Sequence, residues 1–310
     1  MSRWTTILAA SAAAFFMLAF APATRAQADR RIRVETDLVS VPATVLDSTG
    51  KPIADLPESA FKLDENGVEQ KIARFETQTN RPLELALMVD SSMSTTMEMK
   101  FENEAAARFI KLVVHPGDLL GVFEFSDDVT ELSSGFSSNV SKLQSATERI
   151  SPGGGTSLYD AIVLGAGELE KLPEQRRRVV VLVTDAGETT SRSSYEMARR
   201  SAIQSEALLY TILIRPVKNE NGRNTAGEHA IETIMESTGG AVYYADAMNQ
   251  LDAMFQQISR ELRTQYLLSY YPVPKDKPGT YCRIELDVSG GPYTLHYRQG
   301  YLATGTQGEE

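Results

Sequence analysis

The chain has a single cysteine, Cys282, in 310 residues, so an internal disulfide is excluded and stability must come from packing. It also lacks a net positive charge: 31 Lys and Arg stand against 41 Asp and Glu, a formal net charge of -10. That argues against non-specific binding to nucleic acid or to anionic membrane surfaces, both of which need a positive surface. Acidic partners stay open if a bound cation mediates the contact. The three histidines, His115, His229 and His296, are scattered with no metal-ligand spacing and no HExxH. Outside the first residues there is no long hydrophobic run, no internal repeat and no low-complexity segment.

The remaining composition is that of a protein able to bury a core, with 42% apolar and 23% charged residues. Residues 1–26 have the pattern of a secretory signal peptide: Arg3, the apolar stretch "ILAASAAAFFMLAFA" (7–21), then small-residue cleavage options at Ala26 or Ala28. An uncleaved membrane anchor is the rival reading, but this run is shorter than the ~20 residues a membrane-spanning helix needs. Cleavage after Ala26 removes Arg3 and Arg25 and takes the mature charge from -10 to -12. The expected location is periplasmic or secreted, with no membrane insertion after cleavage. Cys282, in the alternating "TYCRIELDV", reads as a buried structural thiol.

Three regions differ in rhythm. Residues 31–80 alternate apolar and polar positions, punctuated by Ser-Thr-Gly, Pro and Glu-Asn-Gly, which predicts short antiparallel strands. Residues 83–263 instead carry continuous apolar runs at 84–89, 119–125, 179–184, 208–214 and 241–244, read as buried strands. Helical periodicity lies between several of them, at 101–114, 140–150, 158–172, 194–207 and 248–263. Buried strands alternating with helices predict a doubly wound α/β domain with a mainly parallel sheet. Residues 264–303 return to alternation, with prolines and Gly290-Gly291 at the turns. Each flanking β segment is too small to form a sandwich alone. They are expected to pair, so that the α/β domain is inserted into a split β-sandwich. The tail 304–310 is polar and expected to be disordered.

The site candidates come from strand ends, where ligands collect in open α/β sheets. "VDSSMST" (89–95) follows one apolar run and supplies Asp90, Ser92 and Ser94. "VTDAGE" (183–188) follows another and supplies Asp185, and "SPGGGTSLYDA" (151–161) carries Thr156 after three glycines. Five oxygen donors with two carboxylates, and no His or Cys, suit Mg²⁺, Mn²⁺ or Ca²⁺ rather than Zn²⁺ or Cu.

In these residues the chain resembles the von Willebrand factor A domains. Their metal-ion-dependent adhesion site reads Asp-x-Ser-x-Ser, a distant Thr and a distant Asp; here Asp90, Ser92, Ser94, Thr156 and Asp185. The resemblance covers 83–263, and the flanking segments, with "YLLSYYP", look similar to bacterial exported proteins related to this domain. It implies protein binding rather than catalysis. Ser92, Ser94 and Thr156 would contact the metal directly or through water, as would Asp90 and Asp185. A Glu or Asp of a partner protein would complete the shell. The family often has Gly after the last Asp. Here Ala186 stands there with Gly187 next, and a positive φ at Ala186 would strain and shift the loop.

Each motif also suits a second reading. "DSSMST" also suits a helix cap. "GGGT" lacks the lysine a phosphate-binding loop needs. Met93, Met97 and Met99 suit either an adaptable apolar rim or ordinary helix packing. Tyr159 and Asp160 suit loop support or a plain helix start. "EQRRRVV" (174–180) reads as a solvated turn, with a partner-binding patch as the alternative. A metal-dependent hydrolase and a metal-free scaffold are the rival functions; the site loops contain no histidine base and the chain has no G-x-S-x-G. Partner identity and oligomeric state are not legible.

Overall fold

The computed structural model describes residues 38–77, 81–92, 99–173, 176–215 and 224–303. The leader 1–26, Met93, Ser94, Met97 and the tail 304–310 lie outside the described residues.

The central sheet has six strands: β5 (Leu83–Asp90), β6 (Leu119–Phe125), β7 (Val129–Glu131), β8 (Arg177–Thr184), β9 (Leu208–Ile214) and β10 (Val242–Ala245). Their spatial order is β10-β9-β8-β5-β6-β7, all parallel except the edge strand β7. Every residue of β5 and β9 is buried, which is why these strands read as near-continuous apolar runs. Leu83, Leu85, Leu87 and Val89 face one core, built with α1 (Met99–Val113), α2 (Val140–Thr147) and α6 (Leu251–Arg263). Ala86 and Met88 face the other, built with α3 (Leu158–Glu170), α4 (Tyr195–Gln204) and α5 (Thr225–Thr238). The arrangement is the expected doubly wound one. Helix α5 and strand β7 were not read from the sequence, although Asn224 caps α5 through the Gly227 N–H and Gly239 ends it at φ 89°.

The chain leaves β5 for β6 on one side and later returns to β8 on the other. The gap between β5 and β8 is therefore the topological switch point.

The flanking segments form two antiparallel four-stranded sheets. One has the order β13 (Thr294–Tyr297), β1 (Val39–Leu46), β11 (Tyr266–Tyr270), β4 (Ile72–Glu76). The other has the order β14 (Gly300–Leu302), β12 (Tyr281–Val288), β2 (Phe61–Glu65), β3 (Val68–Glu69). Strands from before and after the α/β segment pair directly, Val41 with Leu268 and Leu63 with Leu286. β12 alternates exposed and buried residues along its length, and its inward residues Cys282, Ile284, Leu286 and Val288 join one core with Val41, Phe61 and Tyr266. No described helix is long and apolar enough to cross a membrane.

Candidate metal site

Asp90 ends β5 at the switch point and is fully buried. Its Oδ2 accepts from the Thr184 hydroxyl at 2.6 Å, across the gap at the end of β8. Its Oδ1 accepts from the Ser92 N–H at 2.9 Å, which fixes the turn that follows the strand. Burial is the main cause pushing the Asp90 carboxyl up to about 6, and the nearby charge of Asp185 adds to it. Ser92 is buried beside it.

Two further loops are tied to this turn. The Gly153 N–H donates to the Ser91 carbonyl at 2.8 Å, joining the glycine loop to the first turn. The Thr156 carbonyl accepts from the Thr189 N–H at 2.9 Å, and the Thr189 hydroxyl accepts from the Thr156 N–H at 2.8 Å. With the Thr184–Asp90 bond, each of the three loops is hydrogen-bonded to the other two. Asp90, Ser92, Thr156 and Asp185 all lie on this framework; Ser94 lies outside the described residues.

Gly187 shows how close Thr156 and Asp185 come. A Cβ built on it would stand 3.0 Å from Thr156 Oγ1 and 3.1 Å from Asp185 Oδ1. The Gly187 N–H also donates to Asp185 Oδ1 at 2.9 Å. Ala186 is left-handed, at φ 64°, and fully buried. An alanine there costs roughly 1–2 kcal/mol in backbone strain, and its surroundings hold it in place. Its N–H donates to Thr184 Oγ1 at 3.0 Å and its carbonyl accepts from Asn224 Nδ2 at 2.9 Å. A Cβ on Gly227 would come within 2.1 Å of that carbonyl oxygen, so α5 abuts the loop at its start.

Several residues that shape the site escaped the sequence reading. Asp127, just beyond β6, accepts from the Gly154 N–H at 2.9 Å and the Gly155 N–H at 2.8 Å. Its position past a buried strand's carboxyl end is the signal that could have found it. Glu188 Oε2 accepts from the Tyr159 N–H at 3.1 Å, and the Asp160 carboxylate accepts from the N–H groups of Arg192 and Ser193 at 2.9 and 2.8 Å. Tyr159 and Asp160 thus link the start of α3 to the loop after β8. Met99 is buried at the start of α1.

The donors fit a hard divalent cation: two carboxylates and hydroxyls, without nitrogen or sulfur. A different acidic cluster, Glu65, Asp276 and Cys282, lies in the β-sandwich with ligand atoms within 4.8 Å of one another. It fits a metal poorly. Burial pushes the Cys282 thiol up to about 11, and Glu65 Oε2 already accepts from the Tyr270 and Tyr301 hydroxyls.

Residues 85–188 match the family model of the von Willebrand factor type A domain, from β5 through the Asp185 loop. No curated protein matches the chain. Among solved structures, a von Willebrand factor type A protein from Catenulispora acidiphila is similar in fold: 12% identity over 84% of this chain and 76% of that one, with TM-score 0.51. The D319A mutant of the PilB minor pilin from Streptococcus sanguinis aligns at 14% identity over 60% of this chain, with TM-score 0.49. The match spans 62% of the PilB chain. The vWF domain of the type V pili tip protein Mfa5 from Porphyromonas gingivalis aligns at 10% identity over 59% of this chain and 95% of that one, with TM-score 0.49.

Proposed function

We propose that the von Willebrand factor type A domain of this chain is a protein-binding module that works through a divalent cation, Mg²⁺ or else Mn²⁺ or Ca²⁺. Asp90, Ser92, Ser94, Thr156 and Asp185 hold the ion, and a Glu or Asp carboxylate of a partner protein takes its open position. The observation that carries this reading is the lacing of the three loops around the buried Asp90 at the β5/β8 switch point. The charge of Asp185 acts against that of Asp90; a cation removes that repulsion and leaves an attractive local field in an acidic protein. The cation supplies that attraction. The chain supplies aim, because Asp127 and Thr189 fix the backbone of the glycine loop and Thr184 fixes the Asp90 carboxylate.

The reading is binding rather than hydrolysis. The histidines sit elsewhere: His296 Nδ1 lies 3.0 Å from Glu261 Oε2, His229 is exposed on α5, and the His115 N–H donates to Asp118. Export through the leader makes the partner periplasmic or extracellular. The test is capture of partners from the exported fraction with and without EDTA, beside Mg²⁺, Mn²⁺ and Ca²⁺ calorimetry on the wild type and Ser92→Ala. Cation-dependent capture and weaker binding in Ser92→Ala are expected. A folded protein that takes up none of Mg²⁺, Mn²⁺ and Ca²⁺ would overturn the reading.

A further inference from the structure

The arginine run Arg176–Arg178 lies at the end of the sheet opposite the candidate cation site. Arg177 opens β8 beside Leu83, and Arg178 stands beside Glu84, at the amino ends of both strands. With Arg81, Arg298 and Glu206 they line a cavity of about 140 Å³, closed from the other side by residues of β1 and β11. Five guanidinium groups around one small cavity is a concentration of positive charge in a chain whose net charge is -10.

Three of the five have carboxylate partners. Arg81 pairs with Glu76 at 3.2 Å, Arg176 with Glu84 at 3.4 Å and Arg298 with Glu206 at 2.9 Å. Arg177 and Arg178 have no ion-pair partner among the described residues. Their hydrogen bonds go to neutral oxygens. Arg177 donates to the carbonyls of Arg81 and Leu262 and to Gln265 Oε1, and Arg178 to the carbonyls of Ser205 and Leu172. Arg177 is only 8% exposed, yet its Nη2 has no acceptor, and neither has the buried Nε of Arg178. Buried donors left without acceptors are rare and costly, and on a charged group more so. Burial, with the charge of Arg263 second, pulls Arg177 down to about 10.

We propose that this cavity is an anion site for a small, doubly charged tetrahedral oxyanion of the phosphate or sulfate class. Asp118 acts on Arg177 and Glu84 on Arg178 only from beyond ion-pair distance, so both guanidinium groups can still take a dianion in direct contact. The planar guanidinium fork matches such oxygens in geometry and charge. The volume equals several liquid-water volumes of about 30 Å³ each, which suits a tetrahedral anion; the organic part of an ester would remain outside. Because the α/β domain and the β-sandwich both line the cavity, its occupant bridges the two.

The test uses the full chain in EDTA, which separates this site from the cation site. Calorimetry and thermal melting are run in phosphate, sulfate, acetate and chloride at equal ionic strength. Phosphate and sulfate are expected to bind saturably and raise Tm by several degrees, while acetate and chloride do not. Arg178→Gln and the more exposed Arg81→Gln are each expected to weaken phosphate binding at least tenfold. Glycerol 2-phosphate separates the sources: binding equal to phosphate assigns the end of an ester, and its failure assigns the free ion, both within the proposal. An equal Tm shift in chloride, acetate binding as tight as phosphate, or unchanged phosphate affinity in Arg81→Gln overturns it.

Discussion

Replacing Asp90 by Asn tests a buried metal ligand twice, by the sign of the stability change without cation and by the loss of the response to Mg²⁺. In the wild-type protein without cation, the carboxylate is buried and its pKa is raised from 3.8 to about 6. At pH 7.5 it is ionised in both the folded and the unfolded chain. The upward shift then costs the folded state about 3 kcal/mol, at about 1.36 kcal/mol per pKa unit. Asparagine has nearly the same shape and carries no charge. Its Oδ1 keeps the Ser92 N–H, and its amide can donate to the Thr184 hydroxyl, which also accepts from the Ala186 N–H. In EDTA at pH 7.5, Asp90→Asn should therefore melt above the wild type, by up to about 3 kcal/mol, or some 5 °C or more for a chain of this size. The pH dependence has a fixed sign. A raised carboxyl pKa contributes stability below about 3.8 that is lost as pH rises through about 6. Acidifying to pH 5 should thus roughly halve the gap, because the folded wild type is then mostly protonated. Saturating Mg²⁺ should restore the wild type by about 2.7 kcal/mol at a hundredfold excess over Kd and leave the variant unmoved. The assay is differential scanning calorimetry at the two pH values, with EDTA or Mg²⁺. A variant that melts below the wild type in EDTA, or responds equally to Mg²⁺, refutes the reasoning.

Two glycines make a matched pair. Gly227→Ala forces a Cβ to within 2.1 Å of the Ala186 carbonyl, next to Asp185. It should cost about 1–3 kcal/mol, as overpacking does, and weaken cation binding by calorimetry. Gly167→Ala, inside α3 with nothing within 4 Å of its Cβ, should raise stability by about 0.5–1 kcal/mol and leave cation affinity unchanged. Asp127→Ala removes both acceptors of the glycine-loop N–H groups, so cation affinity should fall at least severalfold while Tm in EDTA drops by only a few degrees. Unchanged affinity there would mean that Thr156 is not held by this loop.

Much of the molecule was legible from local pattern. The runs 119–125 and 208–214 coincide with β6 and β9, because burial on both faces leaves such strands almost wholly apolar, Glu124 and Thr211 being their one polar residue each. The alternation of 281–288 gave β12, since one face meets core and the other water. Helix α5 was overlooked between two clear strands, its apolar positions diluted by Thr, Glu and Ser although its caps were in plain view. Asp127 was overlooked because its partners are backbone N–H groups 27 and 28 residues away.

The sequence by itself determined most element types, α5 and β7 apart, and the oxygen-rich chemistry at the ends of two buried strands, because periodicity and side-chain chemistry are local properties. Tertiary structure alone decided which strand ends adjoin: Asp90 meets Thr184 only because β8 pairs with β5 and not with β6. It also gathered Arg81, Arg178 and Arg298 around one cavity and joined Val41 to Leu268 in one sheet. The β5–β8 pairing follows from burying both faces of the central sheet, and the Val41–Leu268 pairing from closing the sandwich core, requirements of the whole chain that no short window expresses.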